Sequence, residues 1–299
     1  MIIVADSGAT KTDWLFCDNT DNGPATTGRD IMSVKTHGIN TATMSSDAIL
    51  PIVDDLVAKA GTDVADKVES IFFYGAGCIS EQQTAPLGKI LGEKFRNIRH
   101  LEIESDMAGA AKALFGDGKG VTAILGTGSN SCLWENGRIV RNILPGGFIL
   151  GDEGSGACLG KMFLADYFKD LVPERIREKA NRIFDISYQD AVMKIYKGDT
   201  PSRYLASFAR FIVENKSDEY AAELIERNIR NFIERSLARY GETRVGVVGS
   251  LGFACREELA AIGSEYGLEF VKFLASPIES LTDYHLAKYN NSEIAPYIG

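Results

Sequence analysis

What the chain lacks narrows it first. Its five cysteines (Cys17, Cys78, Cys132, Cys158 and Cys255, in 299 residues) form no CxxC pair and are odd in number. That excludes a disulfide scaffold and a structural zinc site, and suits reduced thiols buried as small hydrophobes. Basic residues are in deficit: 32 Lys and Arg against 41 Asp and Glu leave a net charge of −9. Nothing would offset repulsion by phosphates, so a general nucleic-acid binder is excluded. No apolar run approaches the roughly 20 residues that span a bilayer, which argues against a membrane partner. Strand-like sequence begins at Ile2, where a secretory leader would carry charge and then an apolar run, so a cytoplasmic protein is expected. His37, His100 and His285 form no constellation with a nucleophile and read as ordinary residues. A GxxxxGK[ST] phosphate loop is missing too: in ADSGATKTDW (5–14) only Gly8 precedes Lys11, and the two are too close.

What is present is an ordinary globular composition, 45% apolar and 24% charged. The length favours two domains over one core. The chain also reads as two similar halves. Residues 1–17 give a strand (IIVAD), a polar turn (SGATKTD) and a second strand (WLFC), and residues 121–135 repeat the plan as VTAIL, GTGSNS and CLWE. VESIFFYGAGC (68–78) is matched by TRVGVVGSLGFAC (243–255), each an apolar strand ending in glycines before a helix. Buried parallel strands have this pattern, and ligands bind beyond their carboxyl ends. LEIESD (101–106) and EFVKFLA (269–275) form a further pair. A tandem duplication of one α/β unit is expected, with the halves meeting around a cleft. Residues 156–240 change character to helix; in 218–240 the residues Ala221, Leu224, Ile225, Ile229, Phe232, Ile233 and Leu237 make one apolar stripe.

Four glycine-rich turns and one acid carry the chemical signal. The turns Asp6-Ser7-Gly8-Ala9-Thr10-Lys11 and Gly126-Thr127-Gly128-Ser129-Asn130 offer backbone amides and hydroxyls to a phosphate. Hairpins use the same residues for conformation alone, but two such turns at matching places could grip a polyphosphate from both sides. Residues 145–156 set five glycines around Asp152 and Glu153, with Ser155 as a helix cap. Gly249-Ser250-Leu251-Gly252 ends a strand and opens a helix, a nucleotide platform or a plain strand–helix turn. Asp106, in SDMAGAA, follows a strand and starts a small-residue helix. It is either an N-terminal helix acid or a carboxylate placed to take a proton from a substrate hydroxyl.

These motifs, in this order, resemble the sugar-kinase, Hsp70 and actin superfamily. Within it they are most similar to the N-acetylglucosamine kinase branch of the BadF/BadG/BcrA/BcrD ATPase family. DSGATKTD and ILGTGSNS resemble its two phosphate motifs, VVGSLGFA its adenosine motif, and GDEGSG with SDMAGAA is the more specific pair. The resemblance implies two RNase H-like α/β domains around a nucleotide cleft that closes on its ligands. The boundaries expected are 1–117, joined by a C-terminal helix at about 278–299, and 118–277 with a helical insertion at about 156–240. It implies an ATP- and Mg²⁺-dependent transfer of a phosphoryl group to a hydroxyl of an amino sugar, normally the 6-hydroxyl, with Asp106 as the base. Ser7, Gly8, Ala9, Thr10, Lys11, Gly126, Thr127, Gly128, Gly249 and Ser250 would hold ATP, and Asp6 would orient hydrated Mg²⁺. Asn40, Gly77, Asn130, Gly147, Asp152 and Glu153 match sugar-site positions, and members often form homodimers.

The chain departs from that pattern in three places. The triple glycine of the first loop is Ser7-Gly8-Ala9, the Gly-Gly turn at 146–151 is short and lacks a tryptophan, and the last helix lacks its Gly-Ala. The second change lies beside the expected sugar pocket and bears on recognition of an N-acetyl group. Two other classes are weighed. A BadF-type reductase activator needs closely placed cysteines for a bridging iron–sulfur cluster, which are absent. A non-catalytic sugar or nucleotide sensor would not need Asp6, Asp106 and both phosphate turns. A kinase of the repressor-like sugar family is disfavoured by the missing Cys-rich zinc motif.

Overall fold

Alternating apolar runs and glycine-rich turns build two mixed five-stranded sheets flanked by helices. The structure, a computed structural model, describes residues 1–8, 10–18 and 31–290; Ala9 and residues 19–30 and 291–299 lie outside the described residues. The first sheet holds β1 (Ile2–Ser7), β2 (Lys11–Cys17), β3 (Ile31–His37), β4 (Ser70–Gly75) and β5 (His100–Ser105). The second holds β6 (Lys119–Leu125), β7 (Ser129–Glu135), β8 (Arg138–Ile143), β9 (Arg244–Val248) and β10 (Glu269–Leu274). Strand order is β3-β2-β1-β4-β5 in one and β8-β7-β6-β9-β10 in the other. In both, the first three strands pair antiparallel and the last two join in parallel. The duplication expected from the strand-turn-strand repeats is therefore a duplication of topology. The turns are tighter than the sequence suggests, because Thr12 already pairs with Ser7 across the first hairpin, and Ser129 and Asn130 pair with β6 across the second.

The chain divides into two compact units, Met1–Gly116 with the segment starting at Pro277, and Asp117–Ser276. In the first unit α1 (Ser46–Ala60), α2 (Thr62–Ala65), α3 (Glu81–Lys94) and α4 (Asp106–Phe115) accompany the sheet. Its core is built on Trp14, Phe16, Ile71 and Phe73, all almost wholly buried. Each such side chain contributes about 1.5–3 kcal/mol by leaving water.

The second unit carries α5 (Gly147–Leu150), α6 (Gly156–Tyr167), α7 (Glu174–Asn181), α8 (Tyr188–Tyr196), α9 (Pro201–Ala206), α10 (Ala209–Glu214) and α11 (Glu219–Arg235). These are followed by α12 (Ser250–Ala254) and α13 (Arg256–Glu265), and α14 (Ile278–Asn290) returns to the first unit. The apolar stripe of α11 is buried along its length, from Ala221 to Ile233, with Leu237 just beyond. Helix starts follow their caps: Asp218 accepts from Tyr220 N–H at α11, Ser155 from Cys158 N–H at α6 and Ser105 from Ala108 N–H at α4. Among the described residues no helix is long and apolar enough to cross a membrane.

Candidate functional site

In the first unit the carboxyl ends of β1 and β5 gather three acids. Asp6 is next to last in β1 and faces Asp13 of β2 in the ladder. Asp106 opens α4 directly after β5, its Oδ1 accepting from Met107 N–H at 2.9 Å. Burial pushes the Asp6 carboxyl up to about 7; Asp106 and Asp13 add to the rise and the Lys11 ammonium opposes it. Burial pushes Asp106 up as well, against hydrogen bonds from backbone amides that hold it down. Two neighbouring carboxyls, both raised by burial and Asp6 further by the charge of Asp106, mark a site able to carry a proton or to accept a cation.

Other expected residues of this unit serve different ends. The Ser7 hydroxyl points inward, not toward a ligand: it lies 2.7 Å from the Thr12 hydroxyl, donates to Ile39 C=O and accepts from Ile39 N–H. It ties the first hairpin to the segment leading to Asn40. Gly8 N–H closes the turn on Lys11 C=O, while Thr10 is exposed. Lys11 folds back on Asp13 at 2.6 Å, with Lys35 of β3 on the other oxygen at 3.6 Å. Asn40 forms a local turn by accepting from Ala42 N–H, and Gly77 packs against it. A Cβ at Gly77 would sit 2.3 Å from Asn40 Oδ1, and its φ of +83° is itself a glycine conformation. Cys78 lies close enough for the Asp106 charge to raise its thiol further, so Asp6, Asp106, Gly77 and Asn40 form one neighbourhood.

The second unit brings its glycine-rich turns together around the start of α6. Gly156 N–H bonds Gly126 C=O at 2.8 Å and Ala157 N–H bonds Thr127 C=O at 3.0 Å. A cavity of about 380 Å³ opens beside this turn, lined by Gly126, Thr127 and Ser250. Its remaining walls are mostly apolar and come from α9, α10 and α12: Ala206, Ala209, Val213, Leu251 and Ala254, with Arg210 and Glu214. Those wall residues carry no motif, and only the small side chains at helical spacing could have pointed to them. Gly249 does not line the cavity but permits it: at φ +119° a Cβ there would lie 2.3 Å from Leu125 C=O.

Asp152, left-handed at φ 54°, packs against Gly128 and accepts from the Ser129 N–H; burial raises its carboxyl. Glu153 turns to Arg235 at 2.7 Å. Asn130 Oδ1 accepts from Ser131 N–H and from Asn142 Nδ2. Gly147 is exposed at the start of α5, apart from the others. The loop 152–155 is held by a residue sequence reasoning passed over: buried Asn228 of α11 accepts from Gly154 N–H and donates to Ser155 C=O.

Two groups implied by the expected chemistry can be tested against these residues. Among the described residues no group of three His, Cys, Asp or Glu could hold a metal ion alone. The charges of Asp106 and Asp13, which raise Asp6, nevertheless concentrate negative charge that a hydrated cation shared with a polyphosphate would relieve, so Mg²⁺ fits. The largely apolar cavity with a hydroxyl at Thr127 and another at Ser250 fits a nucleoside. All five cysteines are buried and free, which fits no cluster role.

No family model matches the sequence, and no curated protein matches it. Solved structures do. A protein of Porphyromonas gingivalis named as a putative N-acetylglucosamine kinase is 32% identical over 97% of this chain and 100% of its own, with a TM-score of 0.90. A Chromobacterium violaceum protein of the same description is 17% identical over 95% and 98% of the two chains, at a TM-score of 0.59. A ROK-family glucokinase of Streptomyces griseus, solved with glucose and AMPPNP, is 14% identical over 94% and 97%, at 0.54. The last two share the fold alone; the first shares both sequence and fold over its whole length, and the chain belongs to the family of that Porphyromonas gingivalis protein, on the actin, Hsp70 and sugar-kinase fold.

Proposed function

We propose that the chain is an ATP-dependent sugar kinase of the BadF/BadG/BcrA/BcrD branch. It transfers the γ-phosphoryl group of ATP to a hydroxyl, the 6-hydroxyl, of an amino sugar such as N-acetylglucosamine or glucosamine. The observation that carries this reading is the Asp6–Asp106 pair at the carboxyl ends of β1 and β5, each acid raised by burial. A base poised nearer neutrality than a free carboxylate takes the hydroxyl proton more effectively as the phosphorus–oxygen bond forms. Asp6 would orient a hydrated Mg²⁺ bound with the nucleotide phosphates, and that ion would supply charge neutralisation in a loose phosphoryl transition state. In the second unit the Thr127 hydroxyl and the amides around Gly126 and Gly128 would hold phosphates. The apolar cavity would take the adenine, with Ser250 beside the ribose. Thr10, Gly8 and Ala9 have the same role in the first turn, and Gly249 shapes the base site. Asn40, Gly77, Asn130, Gly147, Asp152 and Glu153 are assigned to the sugar. The Porphyromonas gingivalis relative's name supports the amino-sugar class.

The test is an ATP-consumption screen over glucosamine, N-acetylglucosamine, N-acetylmuramic acid, N-acetylmannosamine and glucose, with Asp106→Asn alongside. The wild type should be stimulated by an amino sugar. The variant should bind ATP and sugar nearly as before while turnover falls about 10²–10⁴-fold. No stimulation by any of these sugars would overturn the kinase reading, and undiminished turnover in Asp106→Asn would overturn the assigned base.

A further inference from the structure

The Asp106 carboxylate takes its hydrogen bond from Met107 N–H, within its own helix. Its position therefore follows the pose of α4. Fewer than two turns further along, that helix carries Lys112, which is only 7% exposed. Lysine is almost never buried without partners, and here each of its three N–H groups has one. Nζ donates to Glu102 Oε1 at 2.6 Å, to Glu104 Oε2 at 2.8 Å and to the Tyr74 hydroxyl at 3.1 Å. Glu102 and Glu104 are alternate residues of β5 and so share a face, and Tyr74 of β4 lies in register with Glu104.

Counting protons assigns the remaining bonds. The Tyr74 hydroxyl also contacts Glu102 and lies 2.8 Å from His285 Nε2 of α14. An ammonium only donates and a carboxylate only accepts. Tyr74 has one proton and gives it to Glu102, so it must accept from both Lys112 and His285, whose Nε2 carries the hydrogen. Burial pushes that imidazole down to about 3, which keeps it neutral, and its ring stacks on Phe72 with centroids 3.7 Å apart. Gly109 completes the seat of α4, for a Cβ there would come within 2.7 Å of the Tyr74 ring.

A buried ion pair is a poor stability device compared with apolar packing of the same shape. A fully satisfied polar network does, however, fix a single arrangement. We propose that Lys112 is a positioning residue: it clamps α4 to β4 and β5 and so holds the Asp106 carboxylate in one place at the strand ends. The inference rests on the reading of Asp106 as the base. It extends the site to a cluster that no sequence motif marks.

Lys112→Met keeps the length of the side chain and removes the clamp. Its kcat for the sugar that the wild type phosphorylates should fall about 10–100-fold, the scale of a displacement near 1 Å. KM for ATP and for sugar should stay within about twofold, and Lys112→Arg should recover most of the lost kcat. Should Lys112→Met not yield folded protein, the triple variant Lys112→Met, Glu102→Gln, Glu104→Gln leaves no unpaired buried charge and replaces it in the assay. A folded variant lacking Lys112 that keeps wild-type kcat, or loses affinity as much as rate, overturns the clamp. If Asp106→Asn abolishes turnover and the Lys112 variants do not change it, the kinase reading stands and only the clamp falls. Normal turnover in Asp106→Asn removes the assigned base and the clamp with it, and leaves the kinase reading standing.

Discussion

The two units share one strand order and one pattern of pairing, yet they put different residues at the same places. One pair before the end of the first hairpin stand Asp6 and Asp13; at that pair in the second hairpin stand Ile124 and Asn130. The residue directly after the outermost parallel strand is Asp106 in one unit and Ala275 in the other. The first unit has collected carboxylates at its strand ends, and the second has kept those ends uncharged and opened an apolar cavity beside them. Under the proposed function, a duplicated scaffold would thus separate two tasks that interfere in one place: handling protons and cations, and holding a flat apolar base.

The largest effect that would break the comparison concerns the glycine after each central parallel strand. At Gly249 the missing Cβ would strike a backbone carbonyl, that of Leu125, whereas at Gly77 the nearest atom belongs to the Asn40 side chain. Gly249→Ala should cost about 4 kcal/mol in denaturant unfolding, from left-handed strain plus overpacking, or prevent folding. Gly77→Ala should cost somewhat less, because its shortest contact is with a side chain that can move and its backbone contact, with Ala42 N at 2.7 Å, is longer than the 2.3 Å to Leu125 C=O at Gly249; equal losses would erase the distinction.

The two glycine-rich hairpin turns differ next. Ser7→Ala leaves the buried Ile39 N–H without its acceptor and should cost about 1–3 kcal/mol of stability. Thr127 is exposed, so Thr127→Val should change stability by less than about 0.5 kcal/mol while weakening nucleotide binding more than sugar binding by calorimetry. Equal destabilisation by the two substitutions would show that both hydroxyls are structural.

A further difference is in pH. A carboxyl raised to about 7 in the folded chain keeps a proton that the unfolded chain releases near pH 4. The folded form binds more protons in that window, so stability of the ligand-free protein falls as pH rises from about 4 to about 7. Asp6→Asn should flatten that decline in melting temperature. Asp106 and Asp152, raised by burial as well, keep part of the slope. A decline identical in wild type and variant would remove Asp6 as its source.

Much of the fold is legible because central strands are apolar runs that end in glycine, as β1, β4, β6 and β9 do. The edge strands are not. β3 alternates exposed and buried residues, and nearly all of β8, RIVRNI, is exposed, so neither has the composition of a core strand. Ladder pairing with β2 and β7 places them, and that is invisible locally. The acids of the candidate site stand out as residues, but their proximity depends on strands nearly 100 positions apart. The inward turn of Ser7 depends on Ile39, and the Asn228 clamp depends on a polar residue lying within an otherwise apolar stripe. Neither has a sequence signature, because each is set by a partner brought in by tertiary packing.

The return of α14 to the first unit has a consequence for how the chain is made. The Tyr74–His285 bond spans 211 positions, and the whole second unit lies between its ends. On a ribosome that emits the chain from its N-terminus, the unit begun first is therefore completed last. Residues 117–276 can finish folding while Tyr74 and Glu102 still await the histidine that closes their network. Until α14 is made, the face of the first unit that it covers has nothing from this chain to cover it.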